Sequence, residues 1–204
     1  DLNIKGPSLT VSTACASSNH AIGMAFQMVR SGMTRVMITG GSESMLTFGG
    51  IKAWEGLRVM SKTACRPFCA NRSGMVQGEG AGVFVLETYE GAVARGAEVL
   101  AEIVGFSMTS DASDIVMPSK HGASRAISGA LRDAKMNMNE VGYINAHGTG
   151  TTANDKTECA AIVEVFGSHS NKLMVSSTKS MHGHLIGGTG AVELLACIMA
   201  LRDG

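Results

Sequence analysis

Three short stretches hold residue types that could act together on a carbonyl compound. The first is Ser12-Thr13-Ala14-Cys15-Ala16-Ser17-Ser18, where a strand is expected to end and a helix to begin just after the cysteine. A thiol at the start of a helix meets the positive end of the helix dipole, which favours thiolate over thiol. The small neighbours leave room for a substrate carbonyl, and the Cys15 N–H can donate to an oxyanion forming on it. A lone cysteine is more often a buried structural residue. The turn position and the small polar flanks favour a nucleophile here.

The second stretch is Asn145-Ala146-His147-Gly148-Thr149-Gly150-Thr151. His147 leaves a strand end into a Gly-Thr loop, the place where open α/β sheets bind ligands. Its imidazole can donate to a developing oxyanion or move a proton. Thr149 and Thr151 are expected to offer hydroxyls in alternating directions to an elongated polar ligand. The third is Lys179-Ser180-Met181-His182-Gly183-His184, again beyond a strand. Spacing alone leaves open whether His182 or His184 faces the site. Lys179 has a candidate partner in Glu193 on the following helix, a pair that would hold the loop and tune the histidine.

Singly, these stretches have bland readings: a structural cysteine, a loop-capping histidine, an exposed basic loop. Together they form a set. A Cys-His hydrolase needs one histidine as base and an Asn or Asp to orient it. Two loop histidines with one thiol suit a different task, in which the thiol carries an acyl group while the imidazoles share the oxygen of an enolate. That is carbon–carbon condensation of thioesters. His20, His121 and His169 lack comparable surroundings and receive no role.

The elements that must position these residues alternate in type, as in α/β proteins. Strands are expected at 9–11, 35–39, 81–86, 100–108, 141–145 and 173–177. Helices are expected at 17–31, near 89–95, and at 123–134, 155–165 and 191–201. Residues 49–74 read as loop with a short helix. In the first helix Ala21, Met24, Ala25 and Met28 share a face, and Gly32 ends it. Val11-Ser12-Thr13 running through Ala21-Ile22-Gly23 to Arg30-Ser31-Gly32 is echoed by Val175-Ser176-Ser177 running through Leu185-Ile186-Gly187 to Arg202-Asp203-Gly204. The echo suggests a duplicated strand-turn-helix half, although small residues can coincide by chance.

Composition sets outer bounds. The 204 residues carry 17 basic and 17 acidic side chains, a balance that argues against a general nucleic-acid binder. A hydrophobic fraction of 45% suits a folded domain rather than a disordered one. Cys15, Cys65, Cys69, Cys159 and Cys197 show no disulfide framework, which fits a reducing compartment. Cys65 and Cys69 lack the second Cys or His pair of a zinc site, so no metal is expected. The longest apolar run, 194–201, is too short to span a bilayer. The chain starts at Asp1 without a signal-like segment, and both ends read as cut.

By its three motifs the chain resembles the β-ketoacyl-acyl carrier protein synthases of the thiolase superfamily. Arg66-Pro67-Phe68, Gly78-Glu79-Gly80-Ala81-Gly82 and Val175-Ser176-Ser177-Thr178-Lys179 extend the likeness along the whole chain. Asn19-His20 and His182 resemble the nodulation branch of that family, whose members make the acyl chain, often unsaturated, of rhizobial lipo-oligosaccharide signals.

The resemblance implies an α/β fold of thiolase-like αβαβα layers in two related halves, here as a fragment. Residues 1–96 would be the end of the N-terminal half with the nucleophile, and 97–204 most of the C-terminal half. It implies Cys15, His147 and His184 as catalytic residues, Lys179 and Glu193 as organisers, and Thr149 and Thr151 as contacts of a phosphopantetheine arm. Trp54 would line the acyl pocket. No bound cofactor is implied, because phosphopantetheine arrives on the acyl carrier protein. A homodimer of the full-length protein is implied, in the cytoplasm or peripherally at a bacterial inner membrane. The chain lacks the family's C-terminal Gly-rich segment with the second oxyanion N–H, and as an isolated polypeptide it is expected to expose sheet edges and be unstable. The alternatives are a housekeeping elongating ketosynthase and a non-catalytic partner that sets chain length. An intact Cys15 counts against the latter. A thiolase would pair one histidine with a second cysteine, and a generic cysteine hydrolase fits the histidine pair least.

Overall fold

The structure, a computed structural model, describes residues 3–203. Asp1, Leu2 and Gly204, the outer limits of the two expected halves and of the expected repeat, lie outside the described residues. In chain order the elements are α1 (Ser17–Arg30), β1 (Val36–Glu43), α2 (Phe48–Gly56), β2 (Gly80–Glu87), α3 (Tyr89–Ala94), α4 (Lys120–Ala134), β3 (Tyr143–Asn145), α5 (Thr152–Phe166), β4 (Met174–Ser176), α6 (Lys179–His182) and α7 (Thr189–Asp203). They fall into two units, Asp1–Glu43 with Gly80–Glu102 and Ile186–Gly204, and Ser44–Glu79 with Ile103–Leu185.

In the first unit β1 and β2 form an antiparallel ribbon, with Val36 opposite Glu87 and Glu43 opposite Gly80. Helices α1 and α7 pack on this ribbon and on each other. The buried stripe of α1 is Ile22, Ala25 and Val29, and Ala191 of α7 is fully enclosed. That stripe differs from the expected face. Met24 and Met28 are only half-buried, and they line a groove together with Leu9, Val11 and Ile38. Ser31 caps α1 and Gly32 follows at φ 75, so the expected stop is present.

The second unit carries the parallel pair β3–β4, with Asn145 opposite Ser176. Parallel neighbours need a long crossover, and α5 lies within it. Helices α4 and α5 pack together, with Ala161, Ile162 and Phe166 of α5 buried. Each helix begins on a hydroxyl cap: the Ser119 side chain accepts from Gly122 N–H, and that of Thr151 from Asn154 N–H. Because β3 and β4 run parallel and end opposite one another, the segments after Asn145 and after Ser176 leave from the same edge. This register carries two of the three motifs to one place.

Two expected strands are absent among the described residues. Residues 9–11 and 100–108 have no hydrogen-bonded neighbour strand, and an apolar run becomes a strand only when a ladder forms. Their side chains Leu9, Leu100, Val104 and Met108 are exposed. The third motif also differs from a plain loop, since Lys179–His182 makes one helical turn.

Candidate active site

Cys15 belongs to the first unit and sits on a tight turn leading into α1. Ala14 just before it holds φ 51, a left-handed value that costs a residue with a Cβ on the order of 1 kcal/mol. Ser17 fastens the turn. Its Oγ accepts from Thr13 N–H at 2.9 Å and donates to Ala14 O at 2.7 Å. Backbone bonds from Ala16 N–H to Thr13 O and from Ser17 N–H to Ala14 O close the same loop. The thiol is thereby presented half-buried beside the first turn of α1. Glu193 is in this unit too, on α7. Among the other cysteines, burial pushes the Cys65 and Cys159 thiols up, so both stay protonated. Cys65 donates across to Thr149 O of the His147 loop, and Cys69 donates to Asn71 Oδ1 within its own loop.

The histidines belong to the second unit. His147 and His184 stand edge to face with ring centroids 5.3 Å apart. His184 is almost fully enclosed, and its backbone bonds Val76 O through its N–H and Gly78 N–H through its carbonyl. Burial is the main cause that depresses both histidines to about 3, the charge of the buried Lys179 adds to it, and another histidine contributes last, His184 acting on His147 and His182 on His184. At neutral pH each ring is therefore uncharged and carries one N–H and one lone pair. Two neutral N–H groups at this separation can address one oxygen.

His182 and His184 have different surroundings. His184 meets His147. The His182 ring is tied down locally, with Nδ1 2.8 Å from Gly183 O and Nε2 3.0 Å from Thr178 Oγ1. Lys179 lies fully buried on α6. Thr149 and Thr151 depart from the expected alternation: their hydroxyls meet at 2.8 Å, and Thr151 is occupied as the cap of α5. An extended run would have kept them on one face but about 7 Å apart along the strand, whereas Gly150 between them turns at φ 77 and brings the two hydroxyls together. Trp54 stands half-buried on α2.

Residues that the motif reading passed over hold the His147 loop. The Glu158 carboxylate accepts His147 N–H and Gly148 N–H, both at 2.7 Å. Asp155, one turn earlier on α5, is buried and accepts Phe68 N–H at 2.7 Å and Gly150 N–H at 3.2 Å. Arg72 stands 3.6 Å from Asp155. Ser177 Oγ donates to Gly148 O at 2.8 Å. Gly148 itself turns at φ 38, and a Cβ there would come 2.4 Å from Ser177 Cβ. A signal was available for the two acids: carboxylates in the first two turns of a helix complement backbone N–H groups and the dipole.

Comparison with known proteins places the sequence beside one family. "Beta-ketoacyl synthase, N-terminal domain" matches residues 1–92 and "Beta-ketoacyl synthase, C-terminal domain" residues 100–204. Nodulation protein E of Rhizobium leguminosarum bv. trifolii is 52% identical over 203 residues, spanning 100% of this chain and 51% of that protein. 3-Oxoacyl-[acyl-carrier-protein] synthase 2 of Synechocystis is 44% identical over 211 residues, spanning 100% of the chain and 51% of that protein. A solved structure of AntDE:AntF, a type II PKS acyl-carrier protein in complex with its ketosynthase, aligns with TM-score 0.91 at 33% identity over 95% of this chain and 50% of that one. The chain thus spans about half the length of the curated relatives it matches.

Proposed function

The chain belongs to the β-ketoacyl synthase family, with that family's thiolase-like fold, and from that premise we propose that the whole protein performs decarboxylative Claisen condensation on carrier-bound thioesters. The observation that supports it best is the pair of uncharged imidazoles 5.3 Å apart beside a buried lysine. Such a pair donates hydrogen bonds to an oxygen that gains negative charge and is poorly suited to carrying a proton as a cation.

In this reading the Cys15 thiolate attacks an acyl thioester, forms the acyl–sulfur bond and expels the carrier's pantetheine thiolate. A malonyl thioester follows. Its carboxylate leaves as carbon dioxide, and the electron pair of the broken bond becomes an enolate whose oxygen accepts from His147 and His184. The enolate carbon attacks the acyl carbon on Cys15, and the Cys15 thiolate leaves. The product is a β-ketoacyl thioester on the carrier, two carbons longer than the acyl group received.

Lys179 and Glu193 organise the site, Thr149 and Thr151 contact the pantetheine arm, and Trp54 lines the acyl pocket. No resident cofactor or metal enters any step, because pantetheine comes with the carrier. The acyl carrier protein is the partner, and the ketosynthase–carrier complex among the structural relatives supports that choice. The protein is assigned as a homodimer in the cytoplasm or at the inner face of a bacterial membrane. No helix among the described residues is long and apolar enough to cross one. Residues 1–96 and 97–204 are assigned to the two related halves.

Its product is assigned to the acyl chain of a nodulation lipo-oligosaccharide, on the strength of the 52% identity to nodulation protein E. The 44% identity to a general 3-oxoacyl synthase favours housekeeping elongation as the second reading. The test is to incubate the whole protein with radiolabelled acyl carrier protein and follow label onto Cys15. Transfer that disappears in Cys15→Ala is expected. Absence of transfer, or equal transfer in the variant, overturns the enzyme reading in favour of a non-catalytic chain-length partner. The chain profile made with defined carriers then separates the nodulation role from housekeeping elongation.

A further inference from the structure

His182 was left without a role once His184 took the place beside His147, yet its ring is the middle of a continuous hydrogen-bond chain. Gly183 O can only accept, so Nδ1 at 2.8 Å must carry the proton. Nε2 is then a lone pair and accepts from the Thr178 hydroxyl at 3.0 Å. With its one proton committed there, Thr178 Oγ1 accepts from Asn145 Nδ2 at 3.2 Å, a shorter approach than the 3.4 Å to Asn145 Oδ1. Asn145 is the last residue of β3, just before the His147 loop, and Gly183 directly precedes His184. The chain therefore runs from one catalytic-histidine segment to the other.

We infer that His182 is a positioning residue that fixes the spacing of His147 and His184 by bridging the end of β3 to the backbone at Gly183 through Thr178. The inference rests on the proposed condensation chemistry. One enolate oxygen must accept from both imidazoles at once, so a small shift of either segment removes a donor. Displacements on the order of 1 Å cost about a hundredfold in rate. The ring also has a fixed seat. It is half-buried, and the backbone of Gly78 lies so close that a Cβ there would meet His182 O at 2.1 Å. Burial lowers the ring's proton affinity most, the bond to Gly183 O opposes it, and the Lys179 charge adds a smaller lowering, so the ring is uncharged and its two partners set the tautomer.

The test uses the whole protein and two separate readouts, acyl transfer to Cys15 and decarboxylation of malonyl carrier protein. His182→Ala and Thr178→Val are each expected to lower the kcat of decarboxylation about tenfold to a hundredfold, with KM for the malonyl carrier and the rate of acyl transfer unchanged. The double variant is expected to be no worse than the poorer single one, because each change cuts the same chain. His182→Asn, whose amide can still donate to Gly183 O, should recover part of the loss and also serves if His182→Ala does not fold. Decarboxylation within twofold of wild type in these variants, multiplicative losses in the double variant, or equal losses in acyl transfer overturn the inference. Failure of the wild type to acylate Cys15 overturns the condensation reading instead, so the two failures are distinct.

Discussion

Asp155→Asn tests how the His147 loop is held, and its cost can be worked from the contacts. The carboxylate is 2% exposed. One oxygen accepts Phe68 N–H at 2.7 Å, and the other accepts Gly150 N–H at 3.2 Å and Asn154 Nδ2 at 3.2 Å. An asparagine keeps one acceptor and turns an NH2 group toward the other backbone donor, whichever way it is flipped. A bond to a charged acceptor is lost, worth about 1.5–3 kcal/mol, and a buried N–H left facing a donor adds about 1–3 kcal/mol. Arg72 limits the damage. Its guanidinium also bonds the carbonyls of Thr151, Cys69 and Thr152, and the side chain is 19% exposed, so its charge is not stranded. The expected loss is therefore about 2–4 kcal/mol rather than the full sum. Urea unfolding of the whole protein should show a lower midpoint at unchanged slope. Asp155→Ala should be at least as damaging. A loss below about 1 kcal/mol at unchanged slope would refute the view that this carboxylate clamps the loops.

Replacing His147 or His184 by alanine should abolish malonyl decarboxylation while leaving acylation of Cys15 measurable, a split read by running both assays on the same preparation. Both imidazoles are pushed down to about 3 in the fold from an ordinary value of 6.5. Between those values the unfolded chain binds more protons, so stability should fall as the pH drops from 6.5 toward 3 and level off below. The slope approaches at most about 1.4 kcal/mol per pH unit for each histidine. Denaturation of His147→Gln over that range should give a shallower slope than wild type, and an identical slope contradicts the assignment. Gly148→Ala should destabilise by about 1–3 kcal/mol, since φ 38 and a contact 2.4 Å from Ser177 Cβ oppose the new methyl. Thermal melts of the variant check it, and a wild-type midpoint would show that the loop can move aside.

The motifs made much of the site legible, because nucleophile and donor types at strand ends announce themselves by residue type and context. They could not choose between His182 and His184. Those side chains are separated by one residue, and the choice depends on α6, a single helical turn that no periodicity reveals. The hydroxyls of Thr149 and Thr151 meet instead of alternating for a related reason, since Gly150 converts an extended run into a turn. Asp155 and Glu158 escaped notice because they face backbone N–H groups rather than a ligand. In the fold, helices with clear caps such as α4 and α5 lie near their expected limits. The apolar runs at 9–11 and 100–108 did not become strands, because a strand is a property of two segments and the sequence of one does not show its partner.

In the proposed chemistry, Lys179 suits a site of two histidines that works without a general base. It is fully buried on α6, and its charge adds to burial, the main cause, in lowering the proton affinity of His147, His182 and His184. A cation in that place makes every nearby imidazole a poor proton acceptor, which would disable a site built on general-base catalysis. For a reaction whose critical intermediate is an anion, the same charge is favourable: it holds the rings uncharged with an N–H to offer, and its field attracts the enolate as it forms. Loss of carbon dioxide delivers the carbanion without removal of a proton, so a base is not needed at that step. The electrostatics and the proposed chemistry therefore constrain each other, and the carboxylates of Asp155 and Glu158 serve the complementary purpose of gripping the loop backbone through its N–H groups.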